Sequence, residues 1–209
     1  ASSLAVQYTN VLYMIFYGLG TGSTMLCAQY WGKKDLRAIA KVEGIALRFA
    51  LGFSILFAVP AAAIPETMMR LFTEDQELIC LGGQYLRIIS ISYLCWGVSE
   101  IYLSVLRSIE RVRISMLLNV TALLLNIILN AVFVFGLFGA PKMGIRGVAL
   151  ATSTSRAVQL IASLVVSAFS KDVKLQFRLM FEKSGVLLKD FVRLSLPALE
   201  KAETTRLAI

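Results

Sequence analysis

Five long apolar runs, at approximately 1–32, 45–64, 88–106, 114–138 and 147–170, alternate with short polar connections along this chain. Each is close to or longer than the roughly 20 residues a helix needs to cross about 30 Å of hydrocarbon. Only helices and closed barrels satisfy every backbone N–H and C=O inside lipid, so the pattern predicts five transmembrane helices. Pro60 is expected to kink or end the second near its far side. Residues 171–193 are mixed and basic and read as a linker. LSLPAL, from Leu194, then opens another helix that breaks off at KAETTR.

Polar residues inside these runs need a reason to be there, because lipid offers them no partner. Asn126 and Asn130 lie four residues apart and share one face of a helix. Glu100 lies inside the third run, two turns before Arg107, so the two can pair on one face. Arg156 lies inside the fifth run, deeper than Arg146. A permanent cation there would repel a cationic solute unless paired, so an ion pair with Glu100 or another acid, or contacts to carbonyls, is expected. Tyr93, Trp96, Tyr102, Phe133 and Phe135 form either an aromatic wall for planar cations or ordinary packing. Gly18, Gly20 and Gly22 imitate a GxGxG motif, but no strand precedes them. Close helix approach explains them better than nucleotide binding.

Composition supports the same class: 57% of residues are hydrophobic and 16% charged, against about 25% charged in a soluble domain. The fold class is therefore all-α, a polytopic transmembrane helical bundle. A net charge of +8 would suit nucleic acid if it formed a patch, but it is spread over connections between apolar runs. The connections 33–43, 107–113 and 171–193 hold four, three and six Lys and Arg, whereas the loop 65–84 holds one and the turn after the fourth run two. The positive-inside rule makes the three basic ones cytoplasmic in a multi-pass cell-membrane protein. Cys27, Cys80 and Cys95 form no C-x-x-C pair and read as small buried hydrophobes. The sequence contains no histidine, and its spans carry no acid pair or nucleophile motif, which leaves an intramembrane enzyme poorly supported.

NIILNAVFVFG followed by GAPKMGIRGVALAT, spanning Asn126 to Thr152, resembles the fifth and sixth helices of the multidrug and toxic compound extrusion (MATE) family. GLGTGSTMLCAQYWGKKD looks like that family's second helix, VLRSIERVRISM like the link between its fourth and fifth, and LSLPAL like the start of its seventh. The resemblance implies most of one six-helix lobe of a twelve-helix transporter that exports cationic amphipathic drugs in exchange for Na⁺ or H⁺. It implies no cofactor beyond that coupling ion. The expected partners are the lipid bilayer, small cationic drug-like substrates, and a first helix and second lobe of the same chain. With a start lacking methionine and a polar tail at 194–209, the sequence reads as part of a longer one.

In one branch of the family the fifth helix reads N-x-x-x-D, and the matching positions here are Asn126 and Asn130. An amide cannot release a proton, although its carbonyl oxygen can ligate Na⁺. Thr152 matches the polar position of the sixth helix and offers a hydroxyl. The expected ion and substrate pathway therefore comprises Asn126, Asn130, Thr152, Glu100 and Arg156. Helix–helix hydrogen bonding by the amides remains the competing reading, and the runner-up function is a lipid-linked oligosaccharide flippase of the same superfamily.

Overall fold

The structure, a computed structural model of the 209-residue chain, describes residues 2–136, 142–170, 187–195 and 197. In order come α1 (Ser2–Gly32), α2 (Leu36–Ala63), α3 (Pro65–Arg70), α4 (Gln76–Ser108), α5 (Val112–Phe135) and α6 (Ile145–Phe169), with no strand among the described residues. Five of these, all but the short α3, are long and apolar enough to cross a membrane. The bundle is all-α.

Two helices start well before their apolar runs. α2 begins at Leu36 rather than 45, because the Asp35 carboxylate accepts the Ala38 N–H at 2.9 Å and caps the first turn. Its early apolar residues Ala38, Ile39 and Val42 are buried while Arg37 stays exposed. The expected connection 33–43 is thus mostly helix, and Arg48, close to the start of the second apolar run, falls in the middle of α2. α4 begins at Gln76 rather than 88, with Asp75 accepting the N–H groups of Glu77 at 2.9 Å and Leu78 at 3.4 Å. An apolar run measures hydrocarbon thickness, and a capped helix continues past it.

α5 stops at Phe135, where Gly136 takes the left-handed conformation (φ 71°) suited to a helix end. The expected end at 138 and the Gly-Pro turn lie outside the described residues. Residues 187–195 are helical, so the part of the expected linker from 187 to 193 is helix instead. Residues 171–186 lie outside the description. The 187–195 helix docks by its apolar side: buried Phe191 stacks on Phe49 of α2 at 5.9 Å and 18°.

α4 is the central post, packing against α1, α2, α3, α5 and α6. Its buried Tyr93 hydroxyl shares a 2.9 Å hydrogen bond with Thr9 of α1, and its Tyr93 carbonyl accepts from the Ser54 hydroxyl of α2 at 3.1 Å. Thr24 of α1 donates to the Ser104 carbonyl at 3.3 Å, and Ser153 of α6 to that of Ile88 at 3.3 Å. Small hydroxyls thus link helices where no hydrophobic effect separates protein from lipid. Two of the three glycines of the GxGxG look-alike serve close approach. A Cβ on Gly20 would lie 2.7 Å from Ser104 Oγ, and one on Gly22 would strike Ser195. α5 is the most peripheral, showing Met116, Leu117, Val120, Leu123, Ile127 and Ile128 outward. Among the cysteines, Cys27 is buried and Cys95 half-buried, but Cys80, on the early turns of α4, is exposed, contrary to expectation.

Candidate functional site

The five expected pathway residues divide into two groups. Asn126 Nδ2 donates to Thr152 Oγ1 at 3.2 Å, and Asn130 Nδ2 donates to Asn126 Oδ1 at 3.0 Å. The two amides stack up one face of α5, as their spacing requires, and the chain of bonds crosses to α6. One acceptor is left over: Asn130 Oδ1 is buried and has no hydrogen-bond partner among the described residues. A buried carbonyl oxygen without a donor is costly, and it is the kind of oxygen that a hard cation takes.

The second group faces an open cavity of about 620 Å³ lined by α1, α4, α5 and α6. Glu100, Arg107 and Arg156 line it, together with Asn119 of α5. Arg107 Nη2 contacts Glu100 Oε1 at 3.0 Å and Ser104 Oγ at 2.8 Å, which realises the pair expected from their seven-residue spacing. Both side chains are partly exposed to the cavity, at 35% and 22%.

Arg156 takes the second of its two expected arrangements. Among the described residues it has no carboxylate within ion-pair distance, and Glu100 is engaged by Arg107. Instead its Nη1 donates to Gln159 Oε1 at 3.0 Å, and its guanidinium carbon lies 4.5 Å from the centroid of the Trp96 ring. Gln159 is held in turn by a 2.8 Å bond from its Nε2 to Asn119 Oδ1. The arginine therefore makes the carbonyl contact but not the ion pair, and a cation–π contact takes the pair's place.

The aromatic wall also has different members. Trp96 lines the cavity, with Tyr13 stacked on it at 5.7 Å and Phe16 edge-on at 5.3 Å. Tyr17 adds a fourth ring to the lining. Tyr93 and Tyr102 are buried in the core, Phe133 packs against Gly147, and Phe135 points outward. The aromatic residues of α1 were missed because nothing in a charge-free run marks which face looks inward. Gln159 had a signal in the sequence, three residues after Arg156 on the same helical face.

Glu43 of α2, the last residue of the expected connection 33–43, is buried at 1% exposure, and neither carboxylate oxygen has a hydrogen-bond partner among the described residues. It lies outside the cavity lining. The described residues contain no group of three His, Cys, Asp or Glu side chains that could hold a metal ion.

This architecture has clear relatives. The chain is 25% identical over 201 residues to the uncharacterized transporter YisQ of Bacillus subtilis strain 168, covering 95% of this chain and 44% of the relative. It is 28% identical over 185 residues to the probable multidrug resistance protein YoeA of the same strain, covering 87% and 40%. Among solved structures, an inward-facing conformation of a multidrug resistance MATE family transporter of the MOP superfamily is similar, with TM-score 0.80 and 24% identity. That match covers 95% of this chain and 45% of the other. The chain thus spans less than half the length of the relatives it matches. The MatE family model matches residues 1–132, well over half of the 209, and the chain belongs to that family.

Proposed function

We propose that the complete gene product is a secondary active exporter of amphipathic compounds, coupled to an inward gradient of Na⁺ or H⁺, with its three basic connections on the cytoplasmic side. The observation that carries this reading is the cavity between α1, α4, α5 and α6. Its volume suits a drug-sized molecule, and its wall combines aromatic faces with a few fixed polar groups. That combination binds flat apolar bodies without demanding one shape.

Within this reading the α5–α6 amide chain serves the coupling ion. Asn130 cannot carry a proton, whereas its buried, unpartnered Oδ1 can ligate Na⁺ beside the oxygens of Asn126 and Thr152. A cationic compound of the kind the family resemblance implies finds one Glu100 oxygen held by Arg107 and meets the carboxylate at its other, exposed edge.

Drug sensitivity of a hypersensitive host carrying the complete gene, with Na⁺ and pH varied separately, tests both parts. Resistance that tracks the Na⁺ gradient and falls at least about tenfold in Asn130→Leu is expected, since a missing ion ligand costs on the order of 1.4 kcal/mol or more. Export that follows neither gradient refutes the antiport. Unchanged resistance in Asn130→Leu reduces the amide chain to a helix–helix contact.

A further inference from the structure

The charge balance of the cavity points away from simple cations. Glu100, Arg107 and Arg156 line it, one acid against two bases, and the acid is already taken by Arg107 at 3.0 Å. Arg156 remains as a permanent cation with no carboxylate partner among the described residues. Its guanidinium has five N–H donors in a planar fork, and one goes to Gln159 Oε1 at 3.0 Å. Gln159 itself is 2% exposed and locked by Asn119, so that donor is fixed and the fork's orientation with it. The guanidinium carbon also lies over the Trp96 ring, 4.5 Å from its centroid. A guanidinium fixed in this way at a cavity wall, with donors unspent, matches the two oxygens of a carboxylate, sulfonate or phosphate.

We propose that this cavity contains an anion subsite, with Arg156 as the binding cation, and that its preferred cargo is an aromatic amphiphile bearing an acidic group, either as an anion or as a zwitterion. The rings of Tyr13, Phe16 and Trp96 take the flat apolar body while the acidic group meets the open side of the Arg156 fork. A zwitterion satisfies the site as well as an anion does, since its cationic end can lie along the exposed edge of Glu100. A plain monocation meets an excess of positive charge, two arginines against one acid among the described lining residues. The inference rests on the export cavity described above and adds the charge class of what fills it.

Equilibrium dialysis on the purified complete gene product in nanodiscs tests it, using radiolabelled 2-naphthoate and trimethyl-2-naphthylammonium, which share a ring and differ in charge. The naphthoate is expected to bind on the order of tenfold or more tightly than the ammonium, the scale of a charge-assisted hydrogen bond. Arg156→Gln is expected to abolish that preference with an unchanged melting temperature, and Arg156→Lys to restore part of it. Equal or tighter binding of the ammonium to the unmutated protein overturns the anion subsite and leaves the export cavity standing, and this comparison needs no variant to fold. A preference that survives Arg156→Gln also overturns it. Failure of both probes to bind overturns the cavity reading and the subsite together.

Discussion

Gly147, near the start of α6, touches α5 more closely than any side chain would allow. A Cβ placed there would lie 2.9 Å from both Cβ and the carbonyl oxygen of Phe133 and 3.0 Å from its carbonyl carbon. Two of those three atoms belong to the backbone, so no rotamer change relieves the clash. Comfortable carbon contacts start near 3.5 Å, so Gly147→Ala must push the two helices apart by roughly 0.6 Å or more. Overpacking of this kind costs about 1–3 kcal/mol. The Asn126–Thr152 bond, already 3.2 Å long, stretches beyond range and adds about 1 kcal/mol. The gain from alanine's lower chain entropy in a helix returns about 0.5–1 kcal/mol. A net loss of about 1–3 kcal/mol remains, roughly 3 °C or more in Tm by domain-scale conversion. Gly52→Ala is the matched control, because nothing lies within 4 Å of its Cβ position. Thermal unfolding of the purified complete gene product, followed by size-exclusion chromatography after heating, would report both. If Gly147→Ala melts with Gly52→Ala, the close α5–α6 contact is not a feature of the protein.

Two further outcomes follow from burial. Glu43→Leu is expected to raise Tm, because a carboxyl group with both oxygens buried and unbonded gives way to an apolar side chain, a gain of about 1–3 kcal/mol. A clear loss of stability in that variant means the carboxylate has a partner in the complete protein. Maleimide labelling of the folded protein should modify exposed Cys80 rapidly and leave buried Cys27 untouched until denaturant is added. With the proposed orientation, a membrane-impermeant reagent reaches Cys80 from outside the cell, and labelling only after the membrane is opened reverses that topology.

The order and approximate place of the five spans could be read from the sequence, since hydrocarbon imposes one rule on every residue it touches. Helix ends were less legible. Asp35 and Asp75 are N-caps whose signal was present in the chain, yet the charged and small residues after them masked helix that extends past the apolar runs. The Asn126–Asn130 stack and the Glu100–Arg107 pair could be foreseen because each lies on one helix, where spacing alone decides contact.

What the sequence determined by itself was therefore the local and the periodic: a membrane-spanning all-α bundle, the family motif around Asn126 to Thr152, and the pairs made within single helices. Only the tertiary structure decided which face of each helix looks inward. It brought Tyr13 and Phe16 of α1 to Trp96 of α4, set Arg156 of α6 against that same ring and against Gln159 rather than an acid, and buried Glu43 without a hydrogen-bond partner among the described residues. The reason is physical: in a run apolar on every side, periodicity marks no inner face, and contacts between helices depend on crossing geometry that composition does not encode.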